Sequence, residues 1–283
     1  MERLTRLLAD PPKKRTEQRS CLNCDAEFEA VIYILKDREV DYSRLCPACE
    51  KEKHNQEEIA AYNEQLERTR TERRAKWIEA CGITGALKEK TFDNFHARIQ
   101  TQAYQAVKNY KDRSLVLISP EIYGVGKTHL VAALANHLIT TRDPATFEKG
   151  SYRIHTSPCP VFFTEETLLL ARIRDTYNDK AAETEEMVIR QLAAFPLLII
   201  DDVGKVRPRD MSFTQSVYFR IINQRYIDKK PIILTTNLDS VRLEAHIGPA
   251  CGDRLFEMCG AQGFIHFKGS SYRQKVGSAE PKF

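Results

Sequence analysis

The clearest hydrophobic pattern in the chain lies between Ser114 and Thr141. An apolar run, Leu115 to Ile118, gives way to a loop carrying Gly124 and Gly126. Lys127-Thr128 then opens a segment with apolar residues at Leu130, Leu134 and Leu138. Consecutive apolar residues followed by a helical period predict a buried strand, a loop and an amphipathic helix. Further strands are predicted at 160–164 (PVFFT), at Leu197 to Ile200, at 231–238 (PIILTTNL) and at 264–267 (FIHF), with helices at 102–111, 165–177 and 182–195. Pro231 is tolerated because a first strand residue need not donate to the ladder. Strands apolar on both faces and alternating with helices predict an α/β domain built on a parallel sheet.

Upstream the pattern changes. Residues 27–35, EFEAVIYIL, read as a strand, followed by a polar turn at Lys36–Asp41. From Glu50 to Cys81 there is no Pro or Gly, and the composition favours helix. Ile59, Tyr62 and Leu66 keep an apolar face for two turns, after which Arg68, Arg70, Arg73 and Arg74 replace it, and Gly82 ends the segment. This helix reads as a solvated spacer, with a partner-docking face or a phosphate-tracking basic face as the alternatives. Residues 1–20, basic and containing Pro11-Pro12, read as a flexible leader, and Arg142–Pro160 as a polar loop.

Composition adds the cysteines to this picture. The chain has 283 residues, 42% of them hydrophobic, and a net charge of +4, which argues against wholesale disorder and does not by itself identify a nucleic-acid binder. No apolar run approaches membrane-spanning length and the N-terminus lacks the apolar core of a secretory signal, so a cytoplasmic protein without a membrane partner is expected. In a reducing compartment Cys21, Cys24, Cys46 and Cys49 form two C-x-x-C pairs around a short predicted hairpin. Four thiolates brought together there select Zn²⁺, and the metal would supply the folding free energy that so small a core cannot. Cys81, Cys159, Cys251 and Cys259 are scattered and read as small buried hydrophobes.

The remaining chemistry sits at strand ends. Glycines let a polyphosphate approach the backbone N–H groups at a helix N-terminus, so Gly124, Val125, Gly126, Lys127, Thr128 and His129 form a candidate ATP phosphate loop. Lys127 would reach the β- and γ-phosphates and Thr128 would ligate Mg²⁺. The usual pattern wants glycine at position 121, where this chain has Glu121. Either that carboxylate points to solvent and leaves the site intact, or nucleotide binding is compromised. Asp201 and Asp202 end a buried strand, where α/β sheets bind ligands; Asp201 would hold Mg²⁺ and Asp202 would polarise the attacking water. Asn237 can present its amide to that water or to the γ-phosphate. Arg254 and Arg273, taken alone, read as surface charges.

The order LVLIS…GVGKTHL, LLIIDDVG, NQRY, PIILTTNL, GDRLFEM and SSYRQK resembles the AAA+ ATPases of the bacterial replicative helicase loader family, the DnaC and DnaI type, and the related IstB-type transposition helper ATPases. The resemblance covers residues 83–276. It implies a five-stranded parallel sheet with the PIILTT strand between the two nucleotide-binding strands. It places Asn237 at sensor 1, Arg254 at the arginine inserted into a neighbouring subunit's site, Arg273 at sensor 2 and Arg225 at a further family position. It also implies a replicative DNA helicase as partner, contact with single-stranded DNA and a homo-oligomer in the ATP state. The expected organisation is a leader (1–20), a zinc module (21–50), a spacer helix (51–82), the ATPase domain (83–276) and a tail (277–283). Glu121, and an Asp202 where many relatives carry glutamate, predict slow hydrolysis. The rival expectations are a transposition helper that coats duplex DNA and a zinc-dependent nucleic-acid-binding adaptor with a vestigial ATP site.

Overall fold

The computed structural model describes residues 13–35, 38–40, 43–96, 100–148, 153–205 and 211–272. The chain divides into two units, Met1–Arg68 and Thr69–Phe283. In the first, β1 (Lys13–Ser20), β2 (Glu27–Leu35) and β3 (Arg38–Val40) form an antiparallel sheet in the order β1-β2-β3. Residues 13–20 are therefore a strand and not the expected leader. Their ladder runs in register from Lys13 opposite Ile34 to Ser20 opposite Glu27, and Arg15 reaches Glu39 with two hydrogen bonds of 3.0 Å. A strand made entirely of polar residues carries no apolar period, which is why the pattern hid it. The earlier residues of the leader, and the tail, lie outside the described residues. Phe28 and Ala30 of β2 pack with Cys21 and Cys46 in a small core.

Helix α1 (Pro47–Ala80) begins inside the second cysteine pair and crosses the boundary between the units. Pro47 stands in its first turn, where an N–H is dispensable. The arginines of its last turns are not the solvated face that was expected. Arg70 donates to the Ala145 carbonyl at 3.0 Å, Arg73 to Ser157 at 3.2 Å and Arg74 to Thr140 at 2.7 Å as well as to Ile139. Trp77 and Cys81 are buried in the second unit's core. At Gly82, with φ +78°, a Cβ would meet the Phe163 carbonyl at 2.1 Å. That contact lets the Cys81 carbonyl accept from the Phe163 amide at 2.8 Å.

The second unit continues with a tight helical turn (Gly85–Glu89), α2 (Thr101–Lys108), β4 (Leu115–Ile118), α3 (Lys127–Thr141), β5 (Ala145–Phe147) and β6 (Ile154–Thr156). Then come β7 (Val161–Glu165), α4 (Glu166–Asp175), α5 (Glu185–Ala194), β8 (Leu197–Val203), α6 (Met211–Ile227), β9 (Ile232–Thr236), α7 (Ser240–Ile247), α8 (Pro249–Cys259) and β10 (Phe264–His266). The main sheet is five-stranded, β10-β4-β9-β8-β7, and parallel at each junction. The PIILTT strand thus lies between β4 and β8, as the resemblance implied. The expected loop at 142–160 contains a small antiparallel hairpin, β5 with β6.

Alternate residues of each strand face opposite layers. Leu115, Leu117, Leu197, Ile199 and Ile233 pack with α3, whereas Val116, Ile118, Leu198, Ile200, Ile232 and Leu234 pack with α4 to α8. Apolar area leaves water on both sides, at about 25 cal/mol per Å². Among the described residues no helix is long and apolar enough to cross a membrane.

Arg225 receives a definite place. It is completely buried on α6 and donates to the carbonyls of Leu192 (3.1 Å), Phe195 (2.9 Å), Pro196 (3.0 Å) and Pro231. These are the open carbonyls at the end of α5 and at the start of β9, which a helix terminus cannot satisfy by itself. Burial lowers its pKa to about 10. Replacement by Met would strand these acceptors. We expect Arg225→Met to lower stability by about 3 kcal/mol, read as a reduced urea midpoint. An unchanged midpoint would show that water replaces the guanidinium.

Candidate functional site

The phosphate loop joins β4 to α3 at the carboxyl edge of the sheet. Gly124 and Gly126 have φ of +71° and +99°, and Gly126 caps α3. Phe95 covers the loop closely enough that a Cβ at Gly126 would meet its ring at 2.6 Å. Glu121, at the position where glycine is usual, also takes a left-handed conformation, with φ +57°. Its carboxylate is 75% exposed and pairs with Arg242 at 3.1 Å. The anion therefore points into solvent, the alternative that leaves phosphate room to bind.

Lys127 is buried, and its Nζ donates to Asn237 Oδ1 at 2.6 Å and to Ser119 Oγ. The adjacent Thr128 Oγ1 donates to Asp201 Oδ1 at 3.1 Å. Strand order explains the meeting. β9, which ends in Thr235 and Thr236 just before Asn237, separates β4 from β8, so Asn237 reaches Lys127 and Thr235 reaches Asp201. Asp201 is 2% exposed. Burial raises its pKa to about 6, with the charges of Asp202 and Glu165 adding to the rise and the hydroxyls of Thr235 and Thr128 opposing it. A buried carboxylate beside a hydroxyl oxygen, with Asp202 and Glu165 as like charges nearby, is a donor set that suits Mg²⁺.

Asp202 sits at an irregularity in the β8–β9 ladder, with φ +57°. Its amide donates to Thr235 Oγ1 at 2.9 Å and its carboxylate pairs with Lys205 at 3.1 Å. Val125 is buried in the core. His129 turns from the loop to hold residues 91–95. Its Nε2 lies 3.0 Å from the Thr91 carbonyl and 2.9 Å from Asn94 Oδ1, and burial lowers its pKa.

The structure does not bring Arg254 to this cluster. Its guanidinium lies over the rings of Phe219 (5.4 Å) and Tyr226 (5.8 Å) and donates to the Ala250 carbonyl at 2.8 Å. Arg273 lies outside the described residues. The preceding Tyr272 donates its amide to the Gly124 carbonyl at 3.0 Å and stacks on His96. Sequence reasoning missed Thr235, Glu165 and Arg242. A hydroxyl pair directly before Asn237 was the available signal for the first.

In the first unit, the Sγ atoms of Cys21, Cys24, Cys46 and Cys49 all lie within 4.8 Å of one another. The amides of Cys46 (3.2 Å) and Asn23 (3.5 Å) donate to Cys21 Sγ, and the Cys46 contact leads in drawing that thiol's pKa down to about 6. Four sulfurs with amide donors aimed at thiolate fit Zn²⁺.

A glycine-lined loop at a helix N-terminus, facing a buried carboxylate across a parallel sheet of this strand order, defines a P-loop domain of the AAA+ type. Residues 97–279 match the family described as IstB-like ATP binding protein, and the chain belongs to that family. Among curated relatives, the replicative helicase loader DnaC of Buchnera aphidicola subsp. Baizongia pistaciae is 23% identical over 243 residues, 80% of this chain and 90% of the relative. The phage-like element PBSX protein XkdC of Bacillus subtilis is 25% identical over 285 residues, covering 94% and 89%. A crystal structure of the DnaC helicase loader shares the fold at 20% identity, with a TM-score of 0.50 over 65% of this chain and all of that one.

Two outcomes test this geometry. Glu121→Gly should leave the affinity for labelled ATP within about threefold, because the carboxylate it removes lies in solvent; a tenfold tightening would place Glu121 against phosphate. The purified chain should carry one zinc per molecule by elemental analysis. Cys21→Ser/Cys46→Ser should lose that metal and unfold residues 13–46 by hydrogen exchange while nucleotide still binds. A metal-free wild type with the same protection would rule the metal out.

Proposed function

We propose that this chain is an ATP-hydrolysing loader of a replicative DNA helicase that uses slow turnover as a switch. The observation that carries the reading is the convergence of Lys127, Thr128, Asp201 and Asn237 at one sheet edge, which suits a triphosphate with Mg²⁺. Lys127 and the loop amides bind the phosphates, and Thr128 and Asp201 hold the cation. The metal, when bound, neutralises charge on the phosphate oxygens. Asn237 and Asp202 orient the attacking water. Asp202 is one methylene shorter than glutamate and is engaged by Lys205, which supports slow hydrolysis.

Arg254 acts from a neighbouring subunit after leaving its two aromatic rings, and Arg273 reads the γ-phosphate in its own subunit. The zinc module and α1 grip the helicase, and the ATPase domain assembles in the ATP state and touches single-stranded DNA. The names of the relatives support the loader role. The family description favours a second reading, a transposition helper, for which long ATP-dependent filaments on duplex DNA would speak.

Lys127→Ala should abolish ATP binding. Arg254→Ala should spare binding and lower kcat by about a thousandfold, because the lost cation stabilises charge developing on the transferred phosphoryl group. A pull-down of the host's replicative helicase by the full chain should depend on ATP and on the cysteine pairs. No capture under any nucleotide condition would remove the loader role, and equal turnover in Arg254→Ala would remove the intersubunit arginine.

A further inference from the structure

Glu166 is a buried carboxylate that nothing in the proposed reaction uses. It opens α4 directly after Glu165, the residue that stands opposite Asp201 in the β7–β8 ladder. It is 0% exposed, and its two oxygens accept three hydrogen bonds. Oε2 accepts from the Gly204 amide at 2.8 Å, and Oε1 from Tyr218 Oη at 2.8 Å and His246 Nε2 at 2.7 Å. Tyr218 is fully buried, and burial together with the Glu166 charge holds its phenol well above the ordinary value, so it stays a donor.

Burying a carboxylate is expensive, and an apolar group of similar volume would fill the space at lower cost. What Glu166 provides is position. Gly204 follows Asp202 by two residues, has φ +85°, and packs against Leu238, where a Cβ would meet Cδ1 at 2.3 Å. Asp202 itself is held in a left-handed conformation, which costs a non-glycine residue about 1 kcal/mol and persists only where surrounding contacts over-determine it. Thr235 takes the Asp202 amide, Thr236 Oγ1 donates to the Val203 carbonyl at 2.7 Å, and Glu166 takes the Gly204 amide. The first two come from the neighbouring strand, the Lys205 amide closes the turn onto the Asp202 carbonyl at 3.2 Å, and Glu166 holds the Gly204 amide from α4. Its third partner, His246, lies at the end of α7. Near the start of that helix Arg242 pairs with Glu121 of the phosphate loop, and beyond its end Gly248 leads into the helix carrying Arg254.

We infer that Glu166 is a positioning residue for hydrolysis, anchoring the Gly204 amide so that Asp202 is presented to water and tying that turn, through His246, to the helix between the phosphate loop and Arg254. This rests on the reading of the site as an ATPase. Glu166→Leu, which removes every acceptor, is compared with Glu166→Gln, whose amide oxygen can still accept from Gly204. Hydrogen exchange of residues 201–205 and steady-state turnover are read together, with labelled ADP binding measured in EDTA. Glu166→Leu should speed exchange at Gly204 at least about tenfold and lower kcat by about tenfold to a hundredfold, with ADP affinity within about twofold. Glu166→Gln should recover most of both. Should the leucine variant fail to fold, Glu166→Asp, one methylene short of Gly204, is expected to give the same split. Unchanged Gly204 exchange, or kcat and ADP affinity falling together without recovery by Gln, would overturn the inference. A wild type that binds ATP and does not hydrolyse it would overturn the ATPase reading and the catalytic half of this one, while Gly204 exchange alone would still decide the anchoring.

Discussion

The site depends on one buried oxygen. Asp201 Oδ1 accepts from Thr128, the second residue of α3, and from Thr235, near the end of β9. One carboxylate thereby joins the phosphate loop to the two inner strands that follow it in the sheet. Burial raises its pKa to about 6, and its hydrogen bonds and the nearby charges of Asp202 and Glu165 pull in opposite directions. A cation at this point would relieve the burial and the like-charge repulsion together.

Much of the sheet was legible because its strands are apolar on both faces, and such runs cannot be mistaken for surface. Leu115 to Ile118 and Leu197 to Ile200 are completely or almost completely buried in the structure. The strand–loop–helix junction was legible too, since an apolar run, two glycines and Lys127-Thr128 lead there into a helical period. What escaped is held by polar contacts with no period. Strand β1 is a row of polar side chains, recognisable only through its pairing with β2. The arginines of α1 looked solvated because a charge run usually is, yet Arg70, Arg73 and Arg74 end on carbonyls at 139–157. Arg225 likewise gave no hint that its guanidinium would close the end of α5 and the start of β9, because all but one of the carbonyls it meets, those at 192–196, come from a segment distant in sequence.

Glu121 and Asp202 are linked by a shared backbone requirement. Both take left-handed conformations that glycine would adopt without strain. At position 121 glycine is the usual residue, and its replacement is tolerated because the carboxylate turns outward to Arg242. At position 202 the side chain has a proposed role, so the strain is retained and met by Thr235, Thr236 and Glu166. One left-handed residue carries its side chain in solvent and the other is held by core contacts. That difference separates a substitution the phosphate loop absorbs from a conformation the rest of the domain is built to keep.

The two features also meet in space through α7. Arg242 on its first turn contacts Glu121, and His246 on its last contacts Glu166. A helix of eight residues spans about 12 Å and bends little over that length. One short helix thus carries a contact to the glycine loop on its exposed side and a contact to the turn after Asp202, through Glu166, on its buried side. The exposed Arg242–Glu121 pair is screened by solvent, whereas the His246–Glu166 hydrogen bond is enclosed. The Arg242 end is therefore the less constrained of the two, and the His246 end is packed in the core. An ATPase domain proposed to work as a switch needs this asymmetry, with a yielding contact where nucleotide enters and a fixed one where water is to be positioned.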